Sequence, residues 1–416
     1  MNKRLIALES PDFFLAELDR IAAEEGDEVY VLSHQGRHDG RDRVLRIDAR
    51  ADHEGALREI TDRVGRPDAV LTTQEMFLTQ AAALADAFGV SRDPLASVAA
   101  SRDKARMKDA WLAAGVRTPQ GRFYGTAADL DSADRFAYPV IAKPSMGFAS
   151  CGVRKVDSAA ELTEHLRKIF LVNSTVVAKE RLRGAGFLVE EYVEGPEFSI
   201  DTIWYDGEPL CDAILSKGTA TGPYFPDRLY YLDPRLPEET ARKIEDLSHR
   251  AVRALGIGHG ATHTEIRFRG DEPFVLETTN RPGAGGLFYT LFKSALGIDF
   301  HRLYYLAAVC DSADELAERA GTWKPYDLRP DTYPFWYNMP HQGHGVLKEI
   351  RGLAELTARP EIDLCLCYKQ PGAVLYPEGL DADYFCSLLG TYRDAEGAPP
   401  IEEFITGYDT ALEVIF

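Results

Sequence analysis

The stretch Ala261–Gly286, ATHTEIRFRGDEPFVLETTNRPGAGG, constrains the fold of this chain more than any other, because it predicts two carboxylates facing each other across a β-hairpin. Ala261–Phe268 and Phe274–Thr279 are rich in β-branched and aromatic residues, and Arg269–Pro273 between them holds the Gly, Asp and Pro of a short connection. If Phe268 pairs with Phe274, counting back sets Glu265 across from Glu277, and the period of two puts both side chains on one face. His263 and Arg267 share that face with Glu265, and Thr279 and Arg281 continue it from Glu277. Like charges in that position repel. A divalent cation removes the repulsion, and hard carboxylate oxygens suit Mg²⁺, which commonly takes one or two carboxylates plus the phosphates of a nucleotide. A solvated acidic hairpin is the alternative that these letters alone leave open.

With 416 residues and 45% hydrophobic content, the chain can bury substantial cores, and about two or three subdomains are expected. The N-terminal MNKRLIALESPDFF lacks the apolar run of a signal peptide, and no stretch approaches the ~20 apolar residues of a membrane span. A cytoplasmic protein with no membrane partner is therefore expected. The net charge of −19 argues against a nucleic-acid partner, which would need a basic surface. The six cysteines, Cys151, Cys211, Cys310, Cys365, Cys367 and Cys386, show neither CxxC nor Cys/His zinc spacing. Cys365 and Cys367, on one face of an expected strand, read as buried thiols.

Short apolar runs alternate with amphipathic patterns through the first part of the chain. Arg4–Leu8, Glu28–Leu32, Val44–Ile47 and Ala69–Thr72 read as strands, and Asp12–Ala23, Glu54–Val64 and Thr79–Phe88 as helices. This predicts a mostly parallel α/β layer over 1–97. No GxGxxG follows the first strand, which argues against a dinucleotide site there. A helix is expected over Ser101–Ala114, capped by Ser101 and ended by Gly115. Strands should dominate from Tyr138 to Leu215 around one helix, Ser158–Phe170, whose Ser158 and Glu161 fit a capping box. Long helices are expected over Pro237–Leu255 and Leu287–Val309. The tail from about Gly321 reads as a separate small lobe of turns and short strands.

Two further runs carry polar chemistry. Tyr138–Val153 is an apolar strand ending at Lys143 and followed by a loop of small residues, Ser145–Gly152; glycines let backbone amides approach a phosphate, and the lysine adds a point charge. A surface turn with an incidental lysine fits the same letters. Leu188–Ile200 sets acids around a Gly-Pro turn, where Glu190 could accept from an exocyclic amine, Val193 offer a backbone edge and Glu197 bind ribose hydroxyls. A hairpin with solvated acids is the plainer alternative.

In this order the pieces resemble the ATP-grasp superfamily over nearly the whole chain. Asp103-Lys104, Met107, Ala114-Gly115-Val116 and Pro119 resemble the family's motif for the helix leading into its nucleotide domain, and EEYVEGPEFSID resembles its adenosine clasp. The resemblance implies an α/β (α+β) ATP-grasp fold: a Rossmann-like pre-ATP-grasp layer (1–97), an ATP-grasp domain (98–310) with a mobile lid subdomain at about 130–195, and a C-terminal α+β lobe (311–416). It implies a nucleotide site of Lys104, Lys143, Ser150, Glu190, Val193, Glu197 and Lys217. Glu265 and Glu277 match the two metal-binding acids, for Mg²⁺ or Mn²⁺. The family's usual E-x-N is here Glu277-Thr278-Thr279-Asn280-Arg281, so Thr279 stands where an asparagine ligand is expected, and Asn280 reaches the metal only through a bulge.

THTEIRF, ETTNRPGAGG, the tail segment Gly345–Gly352 and Lys369-Gln-Pro-Gly372 resemble the L-amino-acid ligase branch. That branch implies ATP-dependent carboxylate–amine ligation through an acyl phosphate, with small amino-acid or carboxylate substrates and room for a homodimer. Arg281 is then the expected partner of an acyl-phosphate or substrate carboxylate, Arg267 a second candidate and His263 a group orienting the incoming amine. A carboxylase subunit, a phosphotransferase and a nucleotide-binding protein without catalysis are the competing readings. Against a biotin-carrying function, the Met107-Lys108 pair lies within an expected helix.

Overall fold

The computed structural model describes residues 2–416 except 35–37, 39, 127–128, 130–135, 148, 175–185, 220–221, 322–327, 342 and 378–383. The chain opens with a four-stranded parallel sheet in the order Val44–Leu45, Glu28–Leu32, Arg4–Leu8, Ala69–Leu71. Leu5 to Leu8 are fully buried, as a strand covered by helices on both faces must be. Helices Asp12–Glu25, His53–Arg63 and Leu78–Ala87 surround it, each within two residues of the expected bounds.

The helix expected from Ser101 begins later. A short helix, Leu95–Ala100, precedes it, and the Ser101 hydroxyl donates back to the Val98 carbonyl at 2.8 Å. Asp103 is the cap, accepting from the Ala105 amide at 3.0 Å and the Arg106 amide at 3.4 Å, and the helix runs Lys104–Ala113. Lys104 thus becomes the first helical residue.

A second, antiparallel sheet has the order Gly121–Tyr124, Phe187–Glu191, Val140–Pro144, Arg154–Val156. Helix Ala159–Val172 packs Leu162, Leu166 and Ile169 against its Val140, Ala142, Val156 and Val189. Ser158 caps it by accepting from the Glu161 amide at 3.3 Å, while the Glu161 carboxylate accepts from Asp157, one residue before the cap. The fully buried His165 of this helix has Nε2 2.9 Å from the Gly152 carbonyl, so the neutral ring donates that bond. Burial pushes its pKa down to about 4, and burial does the same to His301. A histidine depressed in the folded state contributes stability that is present above its unfolded pKa of about 6.5 and is lost as the pH falls toward 4. Each should cost up to about 1.4 kcal/mol per pH unit in that window. Urea unfolding at about pH 7 and about pH 5 checks this; His165→Gln, which keeps a donor and cannot titrate, should lose less stability than the parent over the same interval.

The largest element is an eight-stranded sheet. Its order from one edge is Glu272–Thr279, Gly260–Arg269, Pro196–Tyr205, Glu208–Thr219, Leu229–Tyr231, Thr332–Pro340, Tyr384–Arg393 and Ile362–Cys367. The tail, expected as a separate lobe, adds its three long strands to this sheet, and Trp336 and Leu389 enter the same core as Phe288 and Phe292. Helix Glu238–Ala254 covers one face through Ile244, Leu247, Ala251 and Val252. The helix expected over Leu287–Val309 is two helices, Leu287–Leu296 and Phe300–Val309. Gly297 ends the first at φ +70°, and Asp299 caps the second by accepting from the Arg302 amide at 3.0 Å. Among the described residues no helix is long and apolar enough to cross a membrane.

The hairpin register differs from the expected one near the turn. Phe268 pairs with Pro273 and Arg267 with Phe274, one residue off the expected pairing of Phe268 with Phe274. Ile266 faces Val275 and Glu265 faces Glu277, so Leu276 is an extra residue, a β-bulge that restores the meeting of the two acids.

Candidate active site

A cavity of about 540 Å³ opens where the two antiparallel sheets and the first layer approach one another. Its walls come from every part of the chain: Phe13 and Glu75 of the first layer, Lys104, Lys143, Glu190, the hairpin, Phe288, and Trp336 and Tyr368 of the tail. Twelve of the fourteen expected site residues line it; Lys217 sits just behind the wall, paired with the lining acids Glu197, Asp227 and Glu265, and Asn280 lies elsewhere.

Three neighbouring positions on adjacent strands form its floor. Pro196–Tyr205 and Gly260–Arg269 pair so that Glu197 faces Arg267, Ser199 faces Glu265 and Asp201 faces His263. Two of the three pairs bond directly across the strands. Arg267 donates through Nε to Glu197 Oε2 at 3.0 Å and through Nη2 to the same oxygen, and through Nη1 to the Val193 carbonyl at 3.3 Å. Its guanidinium also lies 5.1 Å from the Phe225 ring centre. These contacts hold Arg267 as a brace for Glu197 and for the backbone at Val193, and not as a free anion-binding fork. His263 Nδ1 lies 2.8 Å from Asp201 Oδ2, and Asp201 is fully buried. The carboxylate fixes the ring orientation and favours a proton on Nδ1.

Charges in the cavity pair with one another. Lys143 Nζ is 2.5 Å from Glu190 Oε1, and Lys108 Nζ is 2.9 Å from Glu190 Oε2. Burial raises the pKa of Glu190, but the two lysines outweigh it and hold the carboxyl below its usual range. Lys217 stands among three carboxylates: Glu197 at 2.5 Å, Glu265 at 2.7 Å and Asp227 at 2.9 Å. Burial works against its charge, yet those acids raise its pKa well above the ordinary lysine value. Lys104 Nζ donates to Glu277 Oε1 at 2.7 Å and to the Gly147 carbonyl at 3.0 Å, tying the helix start to the loop Ser145–Gly152. In that loop Ala149 and Ser150 have φ of +47° and +54°. Within the expected lid segment 130–195, residues 130–135, Phe148 and 175–185 lie outside the described residues.

Glu265, Glu277 and Thr279 are the oxygens here that could hold a divalent cation. Thr279 is buried and its Oγ1 finds no hydrogen-bond partner, which marks a polar atom awaiting one. Asn280, expected to reach the metal through a bulge, instead lies on the other side of the strand, where Nδ2 donates to Asp93 Oδ2 at 3.3 Å in a separate cleft. The bulge that could have carried it inward lies at Leu276 instead. Arg281 reaches into the cavity from the hairpin end, donating to Glu75 Oε2 at 2.7 Å and to the Pro282 carbonyl at 2.8 Å. Glu75 also takes Arg102, and these cations outweigh burial and bring its pKa down to about 2.

Four participants escaped the sequence reading. Ser199 and Asp201 follow Glu197 at a period of two, a signal that was present in EFSID. Glu75 opens the one-turn 3₁₀ helix Glu75–Phe77 and Asp227 comes from a loop, and no local pattern encodes either placement.

A family model described as an ATP-grasp domain matches residues 136–289. Among curated proteins, the chain is 27% identical over 289 residues to the alanine–anticapsin ligase of Bacillus subtilis (strain 168), covering 64% of this chain and 60% of that protein. It is 30% identical over 236 residues to the D-alanine–D-alanine ligase of Xanthomonas axonopodis pv. citri (strain 306), covering 53% of this chain and 70% of the relative. The crystal structure of L-amino acid ligase from Bacillus licheniformis superposes with a TM-score of 0.84 at 27% identity, covering 100% of this chain and 99% of that one. The fold is the ATP-grasp architecture, with the cavity between its sheets. The chain belongs to the ATP-grasp family. It spans about 60% of the length of the first of these curated relatives.

Proposed function

We propose that this protein is an ADP-forming carboxylate–amine ligase, joining two amino acids, or an amino acid and a related carboxylate, through an acyl phosphate. The observation that carries the proposal is the cavity floor, where Glu197 and Glu265 share Lys217 and where Lys104, Lys143 and Glu190 line the same enclosure. The ligase relatives and the full-length match to an L-amino acid ligase fold support it. The phosphoribosylglycinamide synthetase, biotin carboxylase and N5-carboxyaminoimidazole ribonucleotide synthetase structures that also superpose are 14–17% identical and share the fold alone.

In this reading Lys143, Glu190, Val193 and Glu197 form the nucleotide end. Adenosine would take Glu190 and the Val193 backbone, freeing Lys143 from its carboxylate to face phosphate oxygens. Glu265 and Glu277, with Thr279 beside them, fit Mg²⁺ because each acid now leans on a lysine for its positive charge and Thr279 has an unused oxygen. When bound, the cation neutralises charge on the transferring phosphoryl group. Arg281, whose Nη groups rest on Glu75 and the Pro282 carbonyl, lines the cavity and would turn from these partners to the substrate carboxylate, and His263, fixed by Asp201, orients the amine. These groups work by positioning and charge complementarity rather than by covalent attack. The division at 97/98 and 310/311, the lid at about 130–195 and the cytoplasmic, homodimeric expectations belong to the same proposal.

The experiment is isotopic. With a productive pair of amino acids, ADP, phosphate and dipeptide should form in equal amounts, and oxygen-18 placed in the first substrate's carboxylate should appear in the released phosphate. The label moves because the acyl phosphate keeps a carboxylate oxygen on phosphorus when the amine attacks carbon. AMP and pyrophosphate as products would rule the acyl phosphate out, and label arriving only from bicarbonate would make the protein a carboxylase.

A further inference from the structure

Away from the phosphate end of the cavity, three thiols converge at the far edge of the eight-stranded sheet. Ile362–Cys367 is the edge strand and runs antiparallel to Tyr384–Arg393. Cys365 and Cys367 are two residues apart, so both thiols project from one face. Cys386 lies directly opposite Cys367. The Tyr368 amide donates to the Phe385 carbonyl at 2.9 Å. A bond from the residue after one cysteine to the residue before the other marks a non-hydrogen-bonded pair, the position where Cα atoms approach to about 4.5 Å and side chains come closest.

The result is a compact sulfur cluster. Cys386 Sγ is 3.0 Å from Cys365 Sγ and 3.3 Å from Cys367 Sγ, and all three sulfurs lie within 4.8 Å of one another. All are free thiols. Cys386 is fully buried, whereas Cys365 and Cys367 are partly exposed at the sheet edge, so the cluster has a rigid back and an approach from solvent. A tetrahedral cation with bonds of about 2.3 Å to sulfur sets its thiolates roughly 3.8 Å apart, a spacing these side chains reach with small rotations. A disulfide would use two of the sulfurs and leave one idle. A thiophilic cation uses all three.

We propose that Cys365, Cys367 and Cys386 form a three-thiolate site for a thiophilic cation of the Zn²⁺ class, with its fourth position open at the sheet edge. The site is chemically distinct from the oxygen-lined centre at Glu265 and Glu277, since soft sulfur ligands select Zn²⁺ or Cu⁺ over Mg²⁺. It also has a mechanical consequence. Tyr368 and Tyr384, which flank the two strands' cysteines, line the active-site cavity, so a cation bridging these strands braces that wall.

The test uses the reduced full-length protein titrated with Co²⁺. One equivalent per chain should produce a thiolate-to-cobalt charge-transfer band that Zn²⁺ abolishes, and Mg²⁺ should leave the band untouched. Cys365→Ser and Cys367→Ser, both at partly exposed positions, should lose the band while keeping the parent circular dichroism; Cys211→Ser should keep it. Zn²⁺ should also protect the partly exposed Cys365 and Cys367 of the unmodified protein, and not Cys211, from alkylation, a readout that needs no variant to fold. Absence of the band, or its survival in Cys365→Ser, overturns the site. Two thiols lost to oxidised glutathione, in a protein that binds no cobalt when reduced, would assign the cluster to a disulfide instead.

Discussion

Glu277→Gln should reduce Mg²⁺-dependent ATP turnover by at least about a hundredfold, the order seen when one preorganised charge-stabilising group is removed from an active site. The substitution is close to isosteric. Its amide oxygen can still accept from Lys104, which also keeps the Gly147 carbonyl, so the contacts that tie the helix start to the loop survive. What is lost is one negative charge at the position facing Glu265. Unfolding midpoints should therefore match the parent protein in metal-free buffer, while phosphate release at saturating Mg²⁺ collapses. Turnover above about one-tenth of the parent rate would remove Glu277 from the cation site. Collapse of the fold along with the activity would make the acid pair a structural feature.

The second large effect concerns Lys217. Its ammonium is the common partner of Glu197, Asp227 and Glu265, all within 2.9 Å. Lys217→Met keeps most of the stem volume and removes the charge. Arg267 still serves Glu197, but Glu265 and Asp227 are left crowded without a cation, and removing one partner of a buried ion pair costs about 3–5 kcal/mol. Urea denaturation of the ligand-free protein should show a loss of that size. Added Mg²⁺ with a non-hydrolysable ATP analogue should recover part of it, because a ligand that binds only the folded state stabilises it in proportion to its concentration over Kd. A stability change below about 1 kcal/mol would mean that the acids hold protons rather than rely on Lys217.

Which parts of this molecule could be read from the letters follows from how local the governing forces are. Arg4–Leu8 and Glu28–Leu32 were legible to the residue because strands buried on both faces need continuous apolar runs. The break at Gly297 was not, since Ile298, Phe300 and Leu303 continue the helical apolar period across it and the periodicity hides the cap at Asp299. The acid pair was legible through alternation, although the expected turn closure was one residue off and the bulge cancelled the error. Alternation placed Arg267 on the correct face but could not say which strand lay beside it. Its partner Glu197 sits 70 residues away, and only the pairing of Gly260–Arg269 with Pro196–Tyr205 shows Arg267 to be a brace. The same holds for Cys386, whose opposition to Cys367 depends on a strand pairing that no local pattern encodes. The tail was the largest gap. Thr332–Pro340 looks like a short independent strand until Leu229–Tyr231 and Tyr384–Arg393 are known to flank it.

The extra residue at Leu276 turns the hairpin into a phase device. Val275 and the strand before it keep time with Ile266, and Glu277 keeps time with Glu265, only because one beat is inserted between them. Shortening the strand by that single residue would preserve its apolar character and its turn, yet rotate Glu277, Thr279 and Arg281 together out of the cavity. Chemistry here is thus encoded in the spacing of the chain as much as in its spelling. Substitution at Leu276 changes one wall contact, whereas deletion there rewrites the facing of every functional side chain downstream in the strand.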